Sequence, residues 1–402
     1  VSLLLDIFLL VIALGLLVPV AVLFIECCAA LLPARLESNS REIPRPSIAV
    51  LIPAHNEAAG IGTTLKTILP QLTEHDRLIV IADNCNDETA VIARTFGATV
   101  LERKDAERRG KGYALDYGLR FIEQDPPEVV VLVDADCIVH TGTIDKIARL
   151  AAAKGQPVQA TYLMEQPANP KPKDAVSALA FTVKNLVRPS GLSRLGLPCL
   201  LTGTGMAFPW SIIREAPLAS GNIVEDMQLA LDLAIIGHPA VFCGEAKVIG
   251  LLPQQEQAAT SQRTRWEHGH LQTLLTQVPR LLKASVKQRR FDLLTIALDL
   301  FVPPLSLLVM LWAAATVATL LTGTLGFSSW IPAIILASQG LLIFISIFGA
   351  WGKFGRADLP IQTLLAVPFY ILWKIPLYFA FLIRPQTKWV RTERDSANAP
   401  KP

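Results

Sequence analysis

Hydrophobic residues crowd the two ends of the chain, while the middle alternates between short apolar runs and helix-like patterns. Val1 to Leu32 is an almost unbroken apolar run, interrupted only by Asp6 and Glu26. It is long enough to cross the ~30 Å hydrocarbon core of a bilayer as one helix. A cleaved signal peptide is the competing reading, but no basic segment precedes the run and no small-residue cleavage motif clearly follows it. Arg35, Arg41 and Arg45 come directly after the run. By the positive-inside rule, the N-terminus faces out and the chain beyond Arg35 begins in the cytosol.

Pro44 and Pro46 mark a linker, and Ile48–Ile52 reads as a short buried strand. Strands are then predicted at Leu78–Ala82, Thr99–Glu102 and Val129–Val133, with helices at Glu88–Phe96, Lys111–Gln124 and Thr143–Lys154. Continuous apolar strands separated by helices predict an α/β fold with a mixed, mainly parallel sheet covered on both faces. From Val158 to Gly250 shorter strands mix with helices, one of them near Glu225–Ile236.

Apolar runs resume at Leu293. Leu293–Leu321 and Trp330–Trp351 each read as a spanning helix, joined by the uncharged stretch Thr322–Ser329, which suits an external loop. Lys353 and Arg356 then suit a return to the cytosol. Leu359–Ile383 contains Pro360, Pro368, Lys374 and Pro376. If it spans, the basic tail from Arg384 lies outside, against the charge rule, so a re-entrant or interfacial segment is the preferred reading. The resulting layout is an N-terminal span over 1–34, a cytosolic domain over 47–275, an interfacial connector over 276–292, a membrane region over 293–385 and a basic tail over 386–402.

Composition sharpens this picture in two ways. Hydrophobic residues are 51% of the 402 and mean hydropathy is positive, at +0.42, which fits a multi-pass protein of the inner or plasma membrane in contact with membrane lipids. A net charge of +3, with no basic block interleaved with aromatics, argues against a nucleic-acid partner. Cys27, Cys28, Cys85, Cys137, Cys199 and Cys243 form no C-x-x-C pair and read as buried thiols, not as a zinc site or disulfide scaffold.

Each predicted strand of the first half ends in a polar cluster. Pro53-Ala54-His55-Asn56-Glu57 follows the first, Asp83-Asn84-Cys85-Asn86-Asp87 the second, and Asp134-Ala135-Asp136 follows Val129–Val133. Ligands of open parallel sheets bind beyond the carboxyl ends of the strands, so the three clusters converge on one candidate site. Single clusters of this kind also occur as ordinary turn chemistry; three in order favour a common site. The i, i+2 carboxylates Asp134 and Asp136 suit a hard divalent cation and a sugar hydroxyl. Arg103, Lys104, Arg108, Arg109 and Lys111 form a basic stretch, read as a mobile loop able to close on a diphosphate. Glu225-Asp226, after the Thr202-Gly203-Thr204-Gly205 turn, offers a general base as well as ordinary helix-start acids. In Gln262-Arg263-Thr264-Arg265-Trp266, Gln262 and Arg265 share a helix face, Arg265 suits diphosphate oxygens, and Trp266 suits sugar stacking or an interface anchor.

With these residues in order, the chain resembles the membrane-integrated family 2 glycosyltransferases, the group of cellulose, chitin, hyaluronan and poly-N-acetylglucosamine synthases and ceramide glucosyltransferases. The resemblance rests on Asp83, Asp134-Ala135-Asp136, Glu225-Asp226 and Gln262 to Trp266, and covers Ile48 to His270. It implies a GT-A fold, a UDP-sugar donor, Mg²⁺ or Mn²⁺, and inversion at the anomeric carbon. By position, it puts Pro53, His55, Glu57, Asp83, Lys111, Asp134, Gln262 and Arg265 at the donor, with Asp83 on the uracil. It puts Asp136 on the metal, Asp226 as base with Glu225 beside it, and Thr204, Gly205 and Trp266 at the acceptor. Val224 stands where the family often has Thr, and no gating-loop motif like that of cellulose synthase follows Trp266. The expected acceptor is a lipid-linked or growing saccharide in envelope glycan synthesis. Single addition to a lipid is the alternative, and a membrane transport or binding protein a more distant one.

Overall fold

The computed structural model describes residues 2–33, 44–166, 171–218, 224–251, 256–356 and 359–383. Arg35, Arg41 and the tail over 386–402 lie outside the described residues. In chain order the elements are α1 (Ser2–Leu31), β1 (Ile48–Ala54), α2 (Ile61–Ile68), β2 (Arg77–Asp83), α3 (Thr89–Thr95), β3 (Thr99–Arg103), α4 (Lys111–Ile122), β4 (Val129–Leu132), β5 (Cys137–Val139), α5 (Thr143–Lys154) and β6 (Val158–Glu165). There follow α6 (Pro172–Thr182), α7 (Arg188–Arg194), β7 (Met206–Pro209), α8 (Trp210–Ile213), α9 (Glu225–Ile235), β8 (Val241–Leu251), α10 (Glu256–Gln288), α11 (Phe291–Phe301), α12 (Leu305–Thr324), α13 (Ile331–Ala350) and α14 (Val367–Ile383). They form two compact units. One holds Arg35–Asn169 and Pro198–Gly269; the other holds Val1–Ala34, Pro170–Leu197 and His270–Pro385. The domain limits expected from sequence thus meet a division that runs through α10 and sets α6 and α7 among the apolar helices.

The first unit is built on an eight-stranded sheet of order β3-β2-β1-β4-β7-β6-β8-β5. β3, β2, β1 and β4 run parallel, with Val50 opposite Leu78 and Ile48 opposite Val129. β7 is antiparallel to β4, with Ala207 opposite Val131. This is the mixed, mainly parallel sheet of the GT-A class. β1 and β4 are buried on both faces, which is why they read as unbroken apolar runs. On one face Ile61, Leu65 and Ile68 of α2 and Ile144, Ile147 and Ala151 of α5 pack against Ile48, Ile52 and Val131. Each fully buried Ile, Leu or Val contributes about 1.5–3 kcal/mol. α2 also serves the site, since the Thr64 hydroxyl donates to the Ala135 carbonyl at 2.7 Å, within the Asp134-Ala135-Asp136 turn.

In the second unit α1 packs with α7, α12 and α13. Its contact with α7 is backbone to backbone: a Cβ on Gly191 would fall 1.9 Å from the Glu26 carbonyl oxygen. Beside it, Arg188 donates to Glu26 at 2.6 Å and to Asp299 at 2.5 Å, and all three are buried. Gln339 of α13 donates to the Ala13 carbonyl of α1 at 2.7 Å. Among the described residues, four helices are long and apolar enough to cross a membrane: Leu3–Leu31, Leu305–Thr324, Ile331–Gly355 and Leu364–Ile383. The expected single span Leu293–Leu321 is corrected. Pro303 and Pro304 split it into α11 and α12, because proline removes a backbone donor and clashes with the preceding turn. Asp299 accordingly sits in the short α11, paired with Arg188, and not inside a span.

Candidate active site

Parallel pairing puts the carboxyl ends of β1, β2 and β4 at one edge of the sheet, and antiparallel β7 begins at that same edge, with Met206 opposite Leu132. All three polar clusters and the Gly203–Gly205 turn therefore meet there. His55 contacts the Asp83 carbonyl through Nδ1 at 2.6 Å, and Asn56, in the left-handed region at φ 55°, accepts from the Asn86 N–H at 2.7 Å. Pro53 is within β1, opposite Ile81. Glu57 is buried and its N–H donates to Thr89 at 2.7 Å. Pro53 and Glu57 thus stand in the frame of the edge, and His55 ties the first cluster to the second.

Asp83 ends β2 and is only 6% exposed. Its Oδ1 accepts from Arg103 at 2.6 Å and from the Asn84 amide at 3.0 Å. Arg103 also donates to Asp105 at 3.0 Å and to the Arg108 carbonyl at 2.7 Å, and lies 5.8 Å from the Tyr113 ring centre. The reading of Arg103 as part of a mobile basic loop is thereby corrected: it ends β3 and turns inward. A buried carboxylate draws the guanidinium in, and its fork then organises the loop that leads to Lys111.

Lys111 opens α4 and is the hub of the site. It is ion-paired to Asp134 and donates to the Gly203 carbonyl at 2.6 Å. Burial works against its charge, but Asp134, then Glu225 and Asp226, together hold its pKa above the ordinary lysine range. The Asp134 N–H donates to the Thr204 hydroxyl at 3.0 Å. Gly203 has φ 94°, and a Cβ there would lie 3.2 Å from the Asp226 carboxylate. One strand end, one turn and one helix start are thus joined around a single ammonium group. Glu225 is pushed up to about 7, first by burial, while Lys111 opposes the shift and Asp226 adds to it.

Sequence reading did not single out Gln159. From β6 it donates to the Thr204 carbonyl at 2.9 Å and accepts from the Thr202 N–H at 2.8 Å, so it shapes the turn that faces Asp226. Its signal was a buried polar residue between Val158 and Ala160. Thr204 and Gly205, expected at the acceptor, are fully enclosed: the Thr204 hydroxyl serves the Asp134 backbone, and a Cβ on Gly205 would meet Val248 at 2.8 Å.

Ligand atoms of Asp134, Asp136 and Cys137 all lie within 4.8 Å of one another. Two carboxylates suit a hard divalent cation that completes its shell with phosphate oxygens and water. The Cys137 thiol belongs to the core, and burial pushes its pKa well up, so it suits that cation poorly. On α10, a Cβ on Gly269 would fall 2.6 Å from Val224, the residue before Glu225. Gln262 and Arg265 lie on the same helix face as Gly269, so that face is turned toward the start of α9. Arg265 Nε is buried without a hydrogen-bond partner among the described residues.

A model described as glycosyltransferase like family 2 matches residues 44–269, more than half of the chain. The chain is 25% identical over 386 residues to the probable glycosyltransferase YdaM of Bacillus subtilis (strain 168), covering 89% of this chain and 88% of that one. Over 115 residues it is 34% identical to a 4,4'-diaponeurosporenoate glycosyltransferase of Staphylococcus aureus (strain bovine RF122 / ET3-1), 27% of this chain and 30% of that one. Among solved structures, the mannosyltransferase PcManGT from Pyrobaculum calidifontis, in complex with GDP-Man and Mn²⁺, superposes with TM-score 0.56 at 20% identity, covering 91% of this chain and 99% of that one. This last likeness is one of fold.

Proposed function

The chain belongs to the glycosyltransferases of family 2 type, and from that membership we propose that it is an inverting enzyme at the cytosolic membrane face, moving a sugar from a UDP-sugar to a lipid-linked or growing saccharide acceptor. The observation that carries this reading is the convergence of Asp134, Gly203, Glu225 and Asp226 on Lys111.

In this reading Asp83, held by Arg103, receives the nucleobase, and Lys111 orients Asp134 at the donor. A Mg²⁺ or Mn²⁺ ion held by Asp136 with Asp134 would offset the negative charge gathering on the departing diphosphate. Arg265, with a buried donor to spare, meets diphosphate oxygens, Gln262 supports it from the same face, and Trp266 lies toward the acceptor. Asp226 takes the proton from the acceptor hydroxyl. The acceptor oxygen bonds to the anomeric carbon from the face opposite the diphosphate, and the bond to the phosphate oxygen breaks, its electron pair leaving with UDP. The apolar helices favour an acceptor carried on lipid. The metal and the nucleotide-sugar class of the donor, though not its base, have a parallel in a neighbour of this fold solved with GDP-Man and Mn²⁺.

The test is Asp226→Asn in purified full-length protein. It is expected to bind UDP with Mn²⁺ as the wild type does while losing transfer from UDP-sugars by at least about a hundredfold, the scale of a lost general base. Transfer at the wild-type rate by that variant would remove Asp226 from the role.

A further inference from the structure

α14 presents two unlike faces. Phe369, Leu372, Phe379 and Leu382 are exposed, as lipid-facing residues are. On the inward face Tyr370, Lys374 and Tyr378 follow one another at i, i+4 and i+8, with 5%, 1% and 6% exposure. A charged residue turned inward on an otherwise apolar helix is costly to keep, and such residues mark sites where something charged is handled. The Lys374 ammonium lies 5.3 Å from the Tyr370 ring centre and 5.9 Å from that of Trp373. On the same indole, 5.6 Å from its centre, lies the ammonium of Lys173 from α6. Two cations from different helices thus attend one ring, held by its negative faces.

Depth along the bundle follows from Tyr378. Its hydroxyl is 2.6 Å from that of Ser306, in the first turn of α12. Tyr378, one turn along from Lys374, therefore stands level with the start of α12, where head groups are found. The exposed apolar face of the same helix, with Leu365 just before it, is ready for a hydrocarbon chain.

We propose that Lys374 and Lys173, with Tyr370 and Trp373, form a binding site for the phosphate of a phosphate-headed membrane lipid. The inference rests on the reading above that the acceptor is carried on lipid, and it names the carrier's chemistry. A phosphate supplies the charge that two clustered ammonium groups attract, and the attraction strengthens as water is excluded. The adjoining apolar surface selects a lipid over a free anion.

The experiment uses the full-length protein in neutral detergent and titrates dodecyl phosphate, dodecanol and inorganic phosphate. Wild type is expected to bind dodecyl phosphate at least about tenfold more tightly than either of the others, the value of one charge-assisted contact. K374M is expected to lose about that factor, K374R to keep most of it, and K173M to lose a smaller part. UDP binding in the same samples reports the fold and is expected to be unchanged, so failure here is separate from failure of the transferase reading. Should K374M not fold, the wild-type comparison of the three probes and the K173M titration decide. Equal binding of dodecanol, equal binding of inorganic phosphate, or wild-type affinity in both methionine variants would overturn the proposal.

Discussion

Arg103 donates to Asp83 Oδ1 at 2.6 Å, and both side chains are buried. The pair joins β2 to β3 at the edge where the polar clusters meet, and through Asp105 and the Arg108 carbonyl it sets the path to Lys111. Removing one partner of a buried pair leaves the other charge stranded, at a cost of about 3 kcal/mol. R103M is therefore expected to lower the unfolding midpoint and weaken UDP binding together. R103K keeps the charge but not the fork, and is expected to restore only part of each. Adding D83N to R103M removes the stranded charge and is expected to recover stability without recovering nucleotide binding. Urea unfolding and UDP titration of the variants check this; an R103M protein as stable as wild type would refute the structural role.

Lys111 touches Asp134 and the Gly203 carbonyl at once, so its loss should disturb donor and turn together. K111M is expected to reduce kcat/KM by about two orders of magnitude, comparable to losing one preorganised electrostatic group. The added expectation is specific to the hub. Because Glu225 owes part of its ionisation to Lys111, its pKa in K111M should rise further above about 7. Steady-state kinetics, with infrared detection of the Glu225 carboxylic acid against E225Q, would measure both; unchanged kcat/KM would dissolve the hub.

Much of this arrangement was legible in sequence, for physical reasons that differ by element. β1 and β4 are buried on both faces, so Ile48–Ile52 and Val129–Val133 stand out as apolar runs. α5 matches its expected limits, Thr143–Lys154, because its apolar positions keep helical spacing. α2 escaped notice because Gly62, Thr63, Thr64 and Thr67 are poor helix formers, and only tertiary burial of Ile61, Leu65 and Ile68 holds it. Pairing is a non-local property, so neither the antiparallel β7 nor the inward turn of Arg103 could be read from neighbouring residues. The break at Pro303-Pro304 was written in the chain, but a hydropathy average passes over it.

Gly203 combines φ 94° with an Asp226 oxygen 3.2 Å from where a Cβ would stand. A side chain there is strained by the left-handed backbone and presses on the carboxylate at the same time. G203A is expected to cut transfer by at least tenfold while lowering stability by about 1–2 kcal/mol. The contrast with Gly191 is instructive. A Cβ there meets the backbone oxygen of Glu26 at 1.9 Å, with no side chain able to move aside. G191A is expected to destabilise the apolar unit by several kcal/mol, as overpacking does when backbones must separate. Thermal unfolding in detergent with activity assays separates the two; a G191A protein with wild-type stability would contradict the close approach of α1 and α7.

His270 contributes to the acid response. It is buried, its ring contacts the Leu300 carbonyl through Nε2 at 3.3 Å, and its pKa is pulled down to about 3, first by burial and then by Lys184. In the unfolded chain the ring titrates near 6.5. Between about 3 and 6.5 the unfolded chain therefore binds a proton that the folded chain refuses, and stability falls as pH is lowered through that window. Above 6.5 both states carry the neutral ring and the effect vanishes. H270Q keeps a donor for the Leu300 carbonyl but cannot take up a proton. Its unfolding midpoint is expected to lie near or below that of wild type at pH 7.5 and to fall less steeply on going to pH 5. Thermal scans of both proteins across that range provide the check, and parallel curves would show that His270 does not contribute to the acid response.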